Sequence, residues 1–540
     1  MTQGRDPSAA IEAWRAKLGK DRVLDAPEAE RAYGMSTTAV QRKIVAALKP
    51  KSVEDVQAIV AMASLHGVPL YPFSTGHNWG YGCSLPVRDG CAIVDLSGLK
   101  SIELDAERGL ATLEPGVTQG DLSDHLDANA LPFLVPTTGA GPHCSLVGNA
   151  LERGYGITPY ADHFGAMMGI EAVLADGRIY RSPLRELGGE AVDRGFKWKV
   201  GPYLDGLFAQ SNFGIVTRMT IALAPRPERI EAFLFGIKHE TDLERAVLAV
   251  RQILRSLGGI AGAVNLMNTR RVLSMSADYP PERVGADGIL PAAVVSELAG
   301  GRKAIAWTGI GALYGTASVV QAARAEVRRI LAPLAGRVTF ISPGLASRAH
   351  RFTMLIAPLR RHRIARRARM LDLAMQVLAG RPSEVALQLA YWSSGAEVRH
   401  GQEMDPARDG CGLIWYPPLI PMRPERVRVY VDMVERVCTA YRIEPLITLT
   451  SLSDRCFDSS VPLLFRRKVP DETASAQACY RALLEAGRAQ GFLPYRMAID
   501  AMDWVIRPET PFWQLVADIK KVFDPTGIIA PGRYAPLNDD

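Results

Sequence analysis

The stretch that decides the reading of this chain is STGHNWGYG (74–82), which follows the strand-like run Val68-Pro69-Leu70-Tyr71-Pro72. A loop of small residues at a strand end turns backbone N–H groups toward an anion, and short side chains let a pyrophosphate reach the main chain. Ser74, Thr75, Gly76, Asn78 and Gly80 suit that role, although the same spacing also serves a tight turn. Upstream, Ser52 with Asp55 three residues on forms a weak capping box. Val53, Val56, Ile59, Val60 and Ala63 then give one apolar helix face that should stop near Gly67. Downstream, AIVDLS (92–97) and SIELDAERGLATLEPG (101–116) read as strands, and residues 118–130 as a helix. A second glycine-rich segment covers 137–156, and GIEAVLADGRIYRS (169–182) reads as a hairpin turning at Asp176-Gly177. FGIVTRMTIALAPRP (213–227) is a last strand whose prolines mark a domain boundary. Strands and helices thus alternate, with the special loops at strand ends, as in an α+β or α/β nucleotide-binding unit. No GxxxxGK[ST] loop occurs, and Gly139 and Gly141 are followed by Cys144 where a third glycine would complete GxGxxG. A nicotinamide-binding Rossmann domain is disfavoured.

Composition sets the outer limits. The chain has 540 residues, enough for two or three domains, with 48% apolar and 22% charged residues. A disordered chain, a collagen-like chain and a disulfide-stapled miniprotein are excluded. The net charge of +6 is small for this length and gives no reason to expect a nucleic-acid partner. The seven cysteines are odd in number and contain no CxxC, so neither a disulfide framework nor a zinc site is expected, and no other metal site is indicated. The start, MTQGRDPSAA, lacks an apolar signal core, and Ala304–Ala323 reads as a buried strand entering a helix rather than as a membrane span. A cytoplasmic protein without a membrane partner is the resulting expectation, and a homodimer is allowed. Residues 228–490 carry longer helices, such as 242–257 and 317–333, and the basic run LRRHRIARRA (359–368), which suits a solvated face or a docking patch for a redox partner. Near the end, Phe512, Leu515, Val516, Ile519, Val522 and Phe523 mark one apolar face of a helix.

STGHNWGYG (74–82), CAIVDLSGLKSI (91–102) and VGNALERGYGITPYADHFGAMMGIEAVLADGRIYR (147–181) resemble the flavin-binding half of the vanillyl-alcohol oxidase / p-cresol methylhydroxylase family. PYRMAIDAMDW (494–504) and FDPTGIIAPGRY (523–534) resemble its C-terminal end, whereas the similarity between these regions is weak. The resemblance implies an α+β fold: a two-subdomain FAD-binding domain (46–227) after a helical lead-in (1–45), and a cap domain (228–490) built on an antiparallel sheet flanked by helices. A C-terminal segment (491–540) would return to the FAD domain. It implies FAD with its pyrophosphate on the 74–80 loop and with Gly148, Asn149 and Gly154 along the flavin. The Ile215 backbone would lie at the adenine or ribose side, and Arg533 would return from the tail.

Phenol-oxidising members of that family hold the substrate as its phenolate with two tyrosines and an arginine, and the matching positions are Tyr81, Tyr495 and Arg496. One charge and two phenolic donors around a single oxygen favour its ionised form. The acid that such members place near the flavin aligns here with Ala140; nearby His143 either substitutes as a base or has no role. His77, in TGHN, resembles the histidine of berberine-bridge-type oxidases that bonds covalently to the flavin 8α-methyl group. Cys144 lies in the loop from which bicovalent members add a cysteinyl bond at flavin C6; the other option for it is a small buried thiol. The expected activity is oxidation of a para-substituted phenol or related aromatic through a quinone methide, with molecular oxygen or a redox protein as acceptor. An oxidase or cyclase acting on a non-phenolic natural-product intermediate, and a flavin electron-transfer subunit, are the alternatives.

Overall fold

The computed structural model describes residues 7–301, 304–356, 362–399 and 401–537, with the side chains of 354–356 and 362–367 outside the description. The basic run 359–368 falls almost wholly on those positions and lies outside the described residues. The fold begins with a four-stranded sheet in the order Val23–Asp25, Ile44–Leu48, Cys91–Asp95, Leu70–Phe73. Its last three strands are parallel. The crossover between Ile44–Leu48 and Leu70–Phe73 is the helix Val53–His66, which buries Val56, Ile59, Val60 and Ala63. Ser52 caps it by accepting a hydrogen bond from the Asp55 N–H, and Gly67 ends it in the left-handed region at φ 66°. The capping box is half made, because the Asp55 carboxylate turns to Arg22 and to the Lys51 N–H. The opening segment is more than a helical lead-in: Val23–Asp25 pairs antiparallel with Ile44–Leu48. Three residues are too few to show a strand's alternation in the sequence.

The second sheet is antiparallel and runs Ile102–Asp105, Leu110–Leu113, Ile215–Ala222, Met167–Val173, Ile179–Tyr180. The Asp176-Gly177 turn joins its last two strands, with Gly177 at φ 82°. Each sheet has its own apolar core, one around Val56, Leu70 and Val94, the other around Leu122, Met167 and Met219. Part of the glycine-rich segment is helical, Leu146–Leu151, capped by the Ser145 hydroxyl, which accepts from the Gly148 N–H at 2.9 Å.

The cap is one sheet in the order Val338–Ile341, Arg229–Ile237, Trp307–Gly315, Asn265–Asn268, Thr448–Ser451, Cys456–Arg466, Cys411–Tyr416, with Leu419–Pro421 also on Cys456–Arg466. All its pairings are antiparallel. Alternation along the strands separates its two faces. Leu266, Leu449 and Phe457 point to the core formed with the helices Leu243–Ser256, Pro424–Ala440 and Pro470–Gln490. Asn265, Met267, Thr448, Thr450, Asp458 and Ser460 point the other way, into a cavity against the first domain.

The chain then returns to the first sheet. Leu70 N–H donates to the Ile528 carbonyl and Ala530 N–H to the Leu70 carbonyl, both at 2.7 Å, so the tail lies along the edge strand. The preceding helix, Pro511–Phe523, does not bury its apolar face: Phe512, Leu515 and Val522 are exposed. Its buried contact is instead Lys520, whose Nζ donates to Asp524 Oδ2 at 2.6 Å and to the Ile529 carbonyl at 2.9 Å. The tail's polar anchoring, rather than apolar burial, fixes which side of the helix faces inward. Phe523 packs inward against Phe208 and Phe213, whereas Phe512 meets only its neighbour Trp513. All seven cysteines are free, and among the described residues no helix is long and apolar enough to cross a membrane.

Candidate active site

A cavity of about 570 Å³ lies between the cap sheet and the loops of the first domain, a size in the range of cofactor and ligand pockets. The 74–78 loop lines one wall, and the main-chain N–H groups of Thr75, Gly76, His77 and Asn78 have no partner among the described residues. Unpaired main-chain donors beside a cavity form an anion cradle of the kind a pyrophosphate fills. Gly148, Asn149 and Gly154 line the neighbouring wall. A Cβ on Gly148 would lie 2.3 Å from Ser74 Oγ, and one on Gly154 would lie 2.1 Å from Asn149 Oδ1, so both glycines allow close approach of the cofactor loops. Ile215 and Arg533 reach the same cavity. The donor set and the glycine contacts therefore fit FAD. Gly80 does not line the cavity: its N–H donates to Thr37 Oγ1 at 2.8 Å, and its missing Cβ makes room for the Trp415 indole of the cap. It serves the contact between domains.

Tyr81, Tyr495 and Arg496 come together at one end, although 414 positions separate Tyr81 from Tyr495 in the chain. The Arg496 guanidinium sits 4.2 Å from the Tyr81 ring centroid, a cation–π stack, and its Nη2 donates to Asn78 Oδ1 at 2.5 Å. Neither tyrosine hydroxyl has a partner among the described residues. Burial pushes both phenols up, so they remain protonated donors, while Arg496 acts in the opposite sense on each. Glu152 lies between Arg496 and Arg533. Its Oε2 is 3.2 Å from Arg496 Nε, in ion-pair range but out of hydrogen-bond alignment, and its Oε1 bonds Arg533. Two cations share one carboxylate, which leaves a net positive charge for an anionic ligand.

His143 is not brought to the cavity. Its carbonyl accepts from His77 Nδ1 at 2.8 Å, but its imidazole is 45% exposed and sits 2.9 Å from Glu403. A role as base is not supported by that placement. Where the sequence has Ala140, a carboxyl reaches the cavity from the cap: Asp458 lines it, its Oδ1 is buried without a partner, and burial pushes its carboxyl up to about 7, with Ser460 and Arg496 acting against the rise. The signal was present in CFDSSVPLLFR, where an acidic residue stands beside two serines in a strand that is buried along most of its length. His77 lines the cavity, with its imidazole pulled down by burial and its Nε2 unpartnered among the described residues. Cys144 lines it too, but burial pushes its thiol up to about 11, which disfavours the thiolate needed for attack on a flavin ring.

Comparison with known proteins agrees with this geometry. Residues 45–182 match the family described as an FAD binding domain. The chain is 34% identical to a 1'-carboxy-chondrochloren decarboxylase of Chondromyces crocatus, over 97% of this chain and 96% of that one. It is 30% identical to the 4-cresol dehydrogenase (hydroxylating) flavoprotein subunit of Pseudomonas putida, over 100% of this chain and 98% of that one. The crystal structure of p-cresol methylhydroxylase with substrate bound superposes with a TM-score of 0.87 at 28% identity, covering 100% of this chain and 99% of that one. The protein is an FAD-binding oxidoreductase. It belongs to the vanillyl-alcohol oxidase / p-cresol methylhydroxylase flavoprotein family.

Proposed function

We propose that the protein oxidises a para-substituted phenol, held as its phenolate by Arg496, Tyr81 and Tyr495, to a quinone methide. The observation that carries this reading is an arginine stacked on the Tyr81 ring in the cavity that Tyr495 also lines, with neither phenolic hydroxyl partnered among the described residues. The 74–78 loop, Gly148, Asn149, Gly154, Ile215 and Arg533 would hold FAD, which would supply a hydride acceptor for the para-benzylic carbon. The chain supplies the rest. Arg496 balances the phenolate charge, and the two tyrosines donate to its oxygen, so electron density is released into the ring. Asp458 takes up the phenolic proton; a carboxyl at about 7 is half ionised near neutral pH, which suits a general base. The cap sheet forms one wall of the site. His77, through its unpartnered Nε2, is the candidate for a covalent link to the cofactor, and Cys144 is a buried thiol beside it.

The test is a substrate screen on the purified yellow protein, scored by flavin bleaching without oxygen. Phenols should bleach it and their O-methyl ethers should not; equal rates for both would overturn the phenolate reading. Readmitting air to the bleached protein then distinguishes oxygen from a redox protein as acceptor. The two full-length relatives are named for different reactions, so the fate of the oxidised carbon is to be read from product analysis.

A further inference from the structure

Among the described residues, Arg271 is the one cavity-lining arginine with no acidic partner. Its helix, Thr269–Ser276, is capped by Asn268, whose Oδ1 accepts from the Arg271 N–H at 2.9 Å, and this fixes the backbone from which the side chain departs. The residue is only 9% exposed and lines the same cavity as Arg496. Its Nε donates to Thr448 Oγ1 at 3.1 Å and its Nη1 makes a long contact with Ser274 Oγ at 3.4 Å; both partners are neutral. No carboxylate of the described residues lies within ion-pair distance, and burial alone pulls the guanidinium down to about 10. Nearby on the cap sheet, Asn265 also faces the cavity, and its Oδ1 is buried without a partner.

A buried cation without a counter-charge is unfavourable in the empty protein and is satisfied when an anion arrives. We propose that Arg271 seats a carboxylate on the substrate's side chain, so that the substrate is a 4-hydroxyaryl carboxylic acid held at both ends. The ring assignment rests on the phenol reading above; the carboxylate assignment rests on Arg271 alone. The planar guanidinium fork matches a carboxylate, and one positive charge among neutral hydroxyls suits a monoanion better than a phosphate dianion. The sheet register puts the two seats beside one pair of strands. Arg271 bonds Thr448, and Thr450, two residues along the strand, stands opposite Asp458, which feels Arg496.

The experiment is calorimetric titration of the purified flavoprotein with 3-(4-hydroxyphenyl)propanoate, its methyl ester and the non-phenolic 3-phenylpropanoate. The parent should bind the phenolic acid about 30-fold or more tighter than its ester, the range expected when a desolvated ion pair is formed. Arg271→Met should abolish that preference and leave ester binding unchanged, and Arg271→Lys should keep part of it. Thermal melting supplies the second readout. Arg271→Met should melt at the same or a higher temperature than the parent, and the acid should raise the parent's midpoint but not the variant's. An arginine that merely braces Thr448 would give the reverse, a lower midpoint in the variant with no change in ligand preference. Equal binding of acid and ester by the parent overturns the proposal and leaves the phenol reading intact. Tight binding of 3-phenylpropanoate by the parent, lost in Arg271→Met, together with no bleaching by any phenol, would uphold the carboxylate seat and sink the phenol reading.

Discussion

Replacing the Asp458 carboxylate with the amide of asparagine keeps the shape and hydrogen-bonding capacity of the side chain and removes its ionisation. In the fold the carboxyl is raised from 3.8 to about 7, which corresponds to a preference for the neutral form of about 4 kcal/mol. Because the folded value lies above the unfolded one, the folded state holds the proton more tightly. Stability from this group is fully present below about pH 4 and is lost as pH rises through about 7. The parent and the Asp458→Asn variant should therefore unfold alike near pH 4. At pH 8 the variant should be the more stable, by an amount approaching about 4 kcal/mol as an upper value. Urea unfolding at the two pH values, followed by tryptophan fluorescence, measures this directly. The same substitution should lower kcat/KM for a phenol by about 10²–10⁴, the range for loss of a general base, and remove the rising limb near pH 7. Identical stability profiles across this range would refute the burial argument. A retained limb with an unchanged rate would refute the role of Asp458 as proton acceptor.

Arg496→Ala should weaken binding of a phenol by about 2–4 kcal/mol, since it leaves a desolvated phenolate without its charge partner; Glu152 keeps its bond to Arg533, so the thermal midpoint should change less than the affinity. Tyr81→Phe and Tyr495→Phe should each weaken binding less, as read from Kd in flavin difference spectra. Gly148→Ala places a methyl 2.3 Å from Ser74 Oγ and should lower FAD content, measured by absorbance per protein; adding Ser74→Ala removes the clashing oxygen and should restore part of it. Acid precipitation and trypsin digestion should leave the yellow colour on peptide in the parent and free it in His77→Ala, with Cys144→Ala behaving as the parent; colour wholly in the parent's supernatant would exclude any covalent link.

The loop at the end of the strand Leu70–Phe73, the helix Val53–His66 between its cap and its glycine stop, the hairpin at Asp176-Gly177 and the strand Ile215–Ala222 were legible in the sequence. Each is set by interactions among residues close in the chain: a capping hydroxyl, a left-handed glycine, an apolar repeat with a fixed period. The family motifs singled out Tyr81, Tyr495 and Arg496, and all three line one cavity. The inward side of Pro511–Phe523 was not, because Lys520 is held by carbonyls and a carboxylate brought in by the returning tail, and these override the helix's own apolar face. His143 and Gly80 stand in the right loops, but ring orientation and the Trp415 contact depend on packing across the two domains. Asp458 and Arg271 come from separate cap segments. Their chemistry depends on low local polarity and on which charges stand beside them, and both are properties of the assembled cavity. The local elements were readable from the sequence alone, since they rest on short-range geometry, and the cofactor class came from its likeness to a flavoprotein family. Only the tertiary structure decided which buried charges meet and which are left without a partner, because burial and charge pairing arise when distant segments close over the same space.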